Sequence, residues 1–394
     1  MSDNARWLLP EGIEEMLPVE AQRFERARRA ALDLFARWGY ELVMPPLIEY
    51  LDSLLTGTGK ELDIQTFKLI DELSGRLMGV RADLTPQAAR IDAHYLKREC
   101  PVRLCYVGSV LRTRPGEFAG NREPVQIGAE LFGDGGPDSE VEILQLMRAT
   151  LTALGVREFT LDLGHVGVFH ELSQAAKLTR AQQDEIFDVL QRKAKPEIDG
   201  LLAQWDIGTA LKKALASLVD WHGDAETMQR AEPLLRDAGA GTGALAQLRA
   251  LADTVRAIAP TQALHFDLAE LHGYRYYTGV VFSAFMAGHG SEIARGGRYD
   301  DIGKAFGRAR AAVGFGIDLR QLLKLIPAAT GTARGVLAPI AWRDAGLQQA
   351  IDDLRARGER VVWQLGGEAA RTQYGCDRVL VRRDGRWQVE PITK

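Results

Sequence analysis

Three short stretches place ionisable or hydrogen-bonding groups where a folded chain has to account for them. Asp83 immediately precedes Leu84-Thr85-Pro86, Glu130 lies between Ala129 and Leu131 in an apolar run, and Tyr276 and Tyr277 stand side by side. Each admits two readings. Asp83 either binds a cationic ligand group or sits near a helix N-terminus, where an anion is favoured. Glu130 is either a ligand acceptor or an inward carboxylate paired with an arginine. The tyrosines are either pocket walls or ordinary strand aromatics. Consecutive strand side chains point to opposite faces, so one of the two faces a given pocket, and Tyr277 is the preferred one. The three cysteines, Cys100, Cys105 and Cys376, form no CxxC pair. This argues against a structural zinc site or a disulfide framework and fits a reducing cytoplasm. No metal and no cofactor is expected.

The elements that must position these groups follow from periodicity and punctuation. Residues 18–38 repeat apolar side chains at helical spacing, with Phe24, Ala27, Ala31, Leu34 and Phe35 on one face. Gly39 ends that helix where a left-handed residue is cheap. A short strand over Tyr40–Met44 is stopped by Pro45-Pro46. Further strands are expected at Leu77–Arg81, Val102–Leu111, Val125–Phe132 and Phe159–Leu163. Helices are expected near Thr85–Arg98, with Pro86 in its first turn, and over Ser139–Leu154. Residues 170–258 are rich in Ala, Leu, Gln, Asp and Lys with helical periodicity, and read as a helical insertion. Strand signals return over 263–285. A glycine-rich turn at Arg295–Tyr299 and a strand-to-helix element at 312–325 follow. The last part, 334–394, reads as strand Val336–Ala341, helix Ala345–Arg357 and strands Arg360–Leu365, Arg378–Arg383 and Trp387–Pro391. Long sequential strands with a helical insertion, rather than regular alternation, predict an α+β fold with a mostly antiparallel sheet packed by helices.

Composition bounds the function classes. The chain has 394 residues, 46% hydrophobic and 26% charged, with a formal net charge of −4. That is enough for two or three domains. A dedicated nucleic-acid binder usually carries a basic excess, which is lacking. The N-terminus has no basic flank followed by an apolar core, and no apolar run approaches a membrane span.

Several segments, in order and at compatible spacing over about residues 8–325, resemble histidyl-tRNA synthetases, which are class II aminoacyl-tRNA synthetases. The helix–strand–proline unit ending at Pro46 resembles motif 1, a dimerisation element. YVGSVLRTRPGEFAGNREPVQIGAELFG (106–133) resembles motif 2. ELHGYRYYTGVVF (270–282) and ARGGRYDDIGKAFG (294–307) resemble the two histidine motifs, and AVGFGIDLRQL (312–322) resembles motif 3. The resemblance implies a class II synthetase-like domain over 1–325, with the insertion at about 170–258, and a shortened α/β domain over 334–394.

The same comparison implies lost chemistry. His272 falls where the synthetases have a catalytic arginine, and the adjacent acidic position is Arg275. A mostly neutral imidazole has no bidentate fork, and losing one preorganised donor costs about 3–4 kcal/mol of transition-state stabilisation. Motif 2 keeps its arginine as Arg112, but the glutamate two residues later is Arg114. Motif 3 ends in Arg320-Gln321 rather than Glu-Arg. An arginine one residue early on a helix is rotated by about 100°.

The amino-acid pocket implied by the resemblance is retained: Asp83, Thr85, Arg112, Gln126, Glu130, Tyr276 and Tyr277. A protonated amine suits Asp83 and the amide oxygen of Gln126, an imidazole N–H suits Glu130, and a phenol suits the other ring nitrogen. A synthetase body without its chemistry is similar to the regulatory subunits that partner the short catalytic form of ATP phosphoribosyltransferase, and RADLTPQAARIDAH (81–94) is especially similar to that family. The resemblance implies no catalysis by this chain, L-histidine as effector and feedback inhibition of the first step of histidine biosynthesis. It also implies a synthetase-like dimer within a cytoplasmic hetero-oligomer. The alternatives are a histidine–tRNA ligase with altered catalytic residues and a synthetase-like RNA-binding protein. The net charge and the shortened C-terminal domain weigh against the latter.

Overall fold

The structure is a computed structural model that describes residues 7–57, 60–115, 121–270, 276–327, 334–366 and 374–392. Two compact units divide the chain, Met1–Ile326 and Pro327–Lys394.

The strands are β1 (Glu41–Leu42), β2 (Ile48–Tyr50), β3 (Phe67–Ile70), β4 (Leu77–Val80), β5 (Val102–Ser109), β6 (Val125–Phe132), β7 (Thr160–His165), β8 (His222–Gly223), β9 (Ala263–Asp267), β10 (Val280–Phe285), β11 (Glu292–Arg298), β12 (Ala312–Asp318), β13 (Val336–Ala338), β14 (Val361–Trp363), β15 (Arg378–Arg383) and β16 (Arg386–Pro391). Nine of them form the main sheet in the order β1-β5-β6-β12-β11-β10-β7-β9-β8. The pairs β1–β5 and β7–β9 are parallel and the others antiparallel. A three-stranded sheet, β2-β4-β3, lies earlier in the chain.

One face of the main sheet is apolar because every second residue is. Ile127, Ala129 and Leu131 on β6, Leu161 and Leu163 on β7, and Val313, Phe315 and Ile317 on β12 are buried in one cluster with Ile143, Leu144, Met147 and Leu151 of helix Pro137–Ala153 and Leu248, Leu251 and Val255 of helix Thr242–Ile258. Burying each Leu or Ile contributes about 1.5–3 kcal/mol. Helix Pro18–Arg37 joins through fully buried Ala31 and Phe35, with Phe24, Ala27 and Leu34 partly covered, and Gly39 follows at φ +82°. The opposite sheet face carries the polar residues considered below.

Several expectations are corrected. The strand expected over Tyr40–Met44 is paired only at Glu41–Leu42, since Pro45-Pro46 ends the ladder. The helix expected to run to Arg98 is α-helical over Thr85–Arg90, loosens to a π-helix over Ile91–Leu96 and stops at left-handed Lys97. The insertion is helical from Gly167 to Ile258, but it also contributes β8, which pairs with β9. The glycine-rich segment at Arg295–Tyr299 is not a turn. Arg295–Arg298 belong to β11 in the middle of the sheet. Gly296 is there for clearance: a Cβ would stand 2.2 Å from the Gly314 carbonyl oxygen and 2.5 Å from the Phe282 ring. A glycine that admits a neighbouring ring has the same sequence signature as one that turns the chain.

In the second unit, β13 pairs in parallel with β14 and β15, and β15 pairs antiparallel with β16. Helix Ala345–Ala356 buries Leu347, Ile351 and Leu354 against Val336, Ala338, Val361 and Leu380.

Two substitutions test the clearance argument. Gly296→Ala overpacks the core and is expected to cost about 3 kcal/mol. Gly200→Ala, on helix Lys195–Gln204 with nothing within 4 Å of the added carbon, is expected to stabilise by up to about 1 kcal/mol. Urea unfolding midpoints of the two variants should move in opposite directions; equal behaviour would contradict the packing described.

Candidate functional site

The site lies on the sheet face opposite the helices. Gln126, Gly128 and Glu130 alternate along β6 with the buried apolar residues and therefore share that face. Cross-strand partners face the same way. Glu130 lies between Leu104 and Gly314, Gly128 between Tyr106 and Gly316, and Gln126 between Gly108 and Asp318.

Glu130 is 1% exposed. One carboxylate oxygen accepts a hydrogen bond from the Tyr106 hydroxyl at 2.8 Å, and the other accepts from the Tyr299 hydroxyl. The Thr85 hydroxyl lies 3.1 Å from that of Tyr106. Gly314 makes the arrangement possible, since a Cβ there would fall 1.5 Å from a Glu130 oxygen. Burial pushes the Glu130 carboxyl up to about 8, against the lowering effect of the Tyr299, Tyr106 and Thr85 hydrogen bonds. Burial, followed by the charge on Glu130, pushes the Tyr106, Tyr276 and Tyr299 phenols well above their ordinary value, so all three stay protonated donors. Two of the roughly four lone-pair positions on the carboxylate are occupied by phenols, which leaves acceptor capacity for a ligand N–H.

Tyr276 stacks on Tyr299, with ring centroids 4.9 Å apart and planes at 18°. Its hydroxyl is buried and has no hydrogen-bond partner among the described residues. Leaving such a group unsatisfied costs about 1–3 kcal/mol, so a ligand atom that pairs with it gains by doing so. The Tyr277 ring meets Tyr276 edge-on and lies over Gly297, where a Cβ would be 2.8 Å from it. Both rings are thus at the site, and the unpaired hydroxyl is on Tyr276 rather than on the preferred Tyr277.

The other end of the site is built on Asp83. One of its oxygens accepts the Thr85 backbone N–H at 2.9 Å and the Gln126 side-chain N–H at 3.1 Å. The Gln126 amide oxygen accepts the Leu84 N–H at 2.9 Å, which fixes the orientation of the amide. Asp83 therefore meets the backbone at the start of helix Thr85–Arg90 and also presents a carboxylate to the site. Arg112 reaches only the Ala82 carbonyl, at 3.4 Å, and makes no ion pair among the described residues. Its positive charge also reaches Asp318, where it favours the ionised carboxyl against the effect of burial.

On the side where the resemblance places a nucleotide, the charges are altered or engaged. Arg114 is exposed. The Arg320 guanidinium donates to the Glu14 carbonyl at 2.8 Å and to Glu123 at 3.4 Å, so it anchors the chain's early residues. Gln321 lies 3.5 Å from His289. His272 and Arg275 lie outside the described residues. Among the described residues no group of three or more His, Cys, Asp or Glu side chains is placed to hold a metal ion. No helix among them is long and apolar enough to cross a membrane.

Tyr106 and Tyr299 were not singled out by sequence reasoning. Both lie within motif-like stretches, YVGSV and GGRYD. The usable signal was Gly128 between Gln126 and Glu130, which leaves room for a side chain arriving from a paired strand.

Comparisons with known proteins give the family and the fold. Residues 12–322 match the family model of histidyl-tRNA synthetase, and residues 333–390 match that of the ATP phosphoribosyltransferase subunit HisZ C-terminal domain. The chain is 54% identical over 387 residues to the ATP phosphoribosyltransferase regulatory subunit of Thioalkalivibrio sulfidiphilus, covering 97% of each protein. It is 52% identical over 403 residues to that of Alkalilimnicola ehrlichii, covering 100% of each. Among solved structures it is similar to an ATP phosphoribosyltransferase regulatory subunit/histidyl-tRNA synthetase from Bacillus halodurans, with TM-score 0.82 and 28% identity over 95% of this chain and 97% of that one. A histidyl-tRNA synthetase from Nostoc sp., at TM-score 0.76 and 19% identity over 95% and 91% of the two chains, shares the fold. The large unit thus has the class II synthetase-like fold that its motifs implied.

The raised carboxyl of Glu130 has a stability consequence. Its folded value of about 8 lies above the ordinary 4.5. Its contribution is therefore complete below about pH 4.5 and is lost as pH rises toward about 8. Glu130→Gln cannot ionise, so urea unfolding across pH 5 to 8 should show the wild type losing stability relative to the variant. Parallel profiles would contradict the assignment.

Proposed function

Because the chain belongs to the family of ATP phosphoribosyltransferase regulatory subunits, we propose that it is the non-catalytic, histidine-sensing partner of a short-form catalytic subunit. In this reading L-histidine occupies the site on the sheet. Its ammonium group lies at Asp83 and Gln126, and its imidazole lies among Glu130, Tyr276 and the hydroxyls of Tyr106 and Thr85. A pocket built from buried polar groups rejects apolar amino acids, because its own donors and acceptors would be left unpaired.

The observation that carries this reading is the Tyr276 hydroxyl, buried and unpaired among the described residues, next to a carboxylate already fixed by two other tyrosines. The group most ready for a polar ligand thus belongs to the amino-acid side of the site. On the nucleotide side, Arg320 is already committed to Glu14 and Glu123. The chain then acts by linkage. Histidine favours one state of the subunit, and the catalytic partner meets that state differently.

Self-association belongs to the same reading. Edge strand β1 and the residues after it expose Leu42, Met44, Leu47 and Ile48. An edge with apolar side chains of this kind is a surface suited to a second copy. The setting is the cytoplasm, where the partner's substrates, ATP and phosphoribosyl pyrophosphate, are available.

Reconstitution tests the proposal. The short catalytic subunit of the same organism is mixed with this chain, and phosphoribosyl-ATP formation is followed with and without L-histidine. The expected outcome is a gain of activity on adding this chain and inhibition of the pair by histidine. No change in rate or in histidine sensitivity would overturn the regulatory reading.

A further inference from the structure

An amino acid brings a carboxylate as well as an ammonium group and a side chain, and Arg112 is directed to the Ala82 carbonyl and, by its charge, to Asp318. We propose that Arg295 is the specificity-determining residue that reads the ligand's carboxylate, across the room left above Gly316. The proposal rests on the histidine reading given under Proposed function.

Register provides the geometry. Arg295 on β11 faces Gly316 on β12, Gly316 faces Gly128 on β6, and Gly128 faces Tyr106 on β5. Four strands thus present one row of side chains with two glycines in the middle. The separation between neighbouring strands, about 4.8 Å, makes that gap roughly one amino acid wide.

The two glycines are not equivalent. A Cβ on Gly128 would strike the Phe315 carbonyl oxygen at 2.4 Å and the Tyr106 hydroxyl at 2.6 Å, so the packing of the protein itself accounts for that glycine. A Cβ on Gly316 would meet only the Gln126 amide nitrogen, at 3.6 Å, an ordinary contact. Its backbone is extended rather than left-handed. Neither conformation nor packing requires a glycine at 316.

The room above Gly316 borders Gln126, which also binds Asp83. In an α-amino acid the carboxylate and the ammonium share one carbon, so a ligand whose ammonium is at Asp83 and Gln126 must place its carboxylate close by. Most other guanidiniums around the sheet are engaged. Arg81 holds the carbonyls of Pro45 and Ser109, Arg298 holds Glu140 and Ser139, and Arg310 holds Asp92. Arg295 is paired only with Glu292 among the described residues, at 3.2 Å, with the two side chains 27% and 33% exposed. A pair this exposed is weak and exchanges readily for a better-placed carboxylate. The positive charge of Arg295 also reaches the site, where it favours ionisation of the Tyr277 hydroxyl against the effect of burial.

Calorimetry on the full-length chain tests this with two ligands, L-histidine and L-histidinol, in which a hydroxymethyl group replaces the carboxylate. The wild type should prefer histidine. Arg295→Met should weaken histidine binding by about tenfold or more, the loss expected for a charge-assisted hydrogen bond, and change histidinol binding by less than about twofold. Gly316→Val should melt like the wild type, since the fold has room for it, and should bind neither ligand. Equal losses for both ligands in Arg295→Met, or no loss, would overturn the assignment, as would wild-type histidine affinity in Gly316→Val. A wild-type chain that binds neither ligand would overturn the histidine reading itself.

Discussion

A carboxyl group buried on an interior strand of a nine-stranded sheet is the constraint on which the rest of the site depends. Glu130 is almost fully inaccessible and among the described residues has no cation against it; it is held by two phenols. A buried charge without a counter-ion is costly, and the group responds by holding its proton to a higher pH. That solution needs Tyr106 to come from the neighbouring strand β5 and Tyr299 from the end of β11, and it needs space. Gly314 provides the space opposite Glu130, as Gly128 does opposite Tyr106. The apolar alternation of β6 and β12 is what keeps these residues on one face, because a one-residue slip would turn Glu130 into the helix-packed core.

The polar face divides into two unequal halves. Around Glu130 and Asp83, donors and acceptors converge at short distances, with one hydroxyl left unpaired among the described residues. On the other side, Arg320 ties the early residues of the chain to helix Leu319–Leu325, and Arg114 points to solvent. The half around Glu130 and Asp83 also touches an element that leads away from it. Asp83 and Gln126 hold the first residues of helix Thr85–Arg90. Gln87 and Arg90 of that helix donate to Glu49 on β2 of the small sheet, and the helix passes directly into a π-helical turn. A ligand at Asp83 therefore bears on the start of a short helix whose far side is tied to a different sheet. Such an arrangement suits a subunit that signals binding rather than carrying out a reaction.

Much of this was legible in the sequence, and the failures have physical reasons. Gln126 and Glu130, four residues apart on a strand with glycine midway, can only share a face, and they do. The motif order over residues 8–325 pointed to the synthetase-like body. The partners of Glu130 were not legible, because Tyr106 and Tyr299 meet it through strand register and loop packing across 24 and 169 residues of chain. The segment at 295–299 read as a turn because glycine marks both turns and crowded strands, and only the neighbouring Phe282 ring distinguishes the two. Which of Tyr276 and Tyr277 carries the hydroxyl that is unpaired among the described residues was not legible for a related reason. Alternation applies to strands, and these residues precede β10 rather than belonging to it.

The measurement that bears most directly on the central claim is a calorimetric titration of L-histidine into the wild-type chain and into Glu130→Ala. If Glu130 is the imidazole's acceptor, the wild type binds histidine stoichiometrically and the variant shows no binding at the same concentrations. Equal affinity in the two proteins, or no binding by the wild type, would contradict the account.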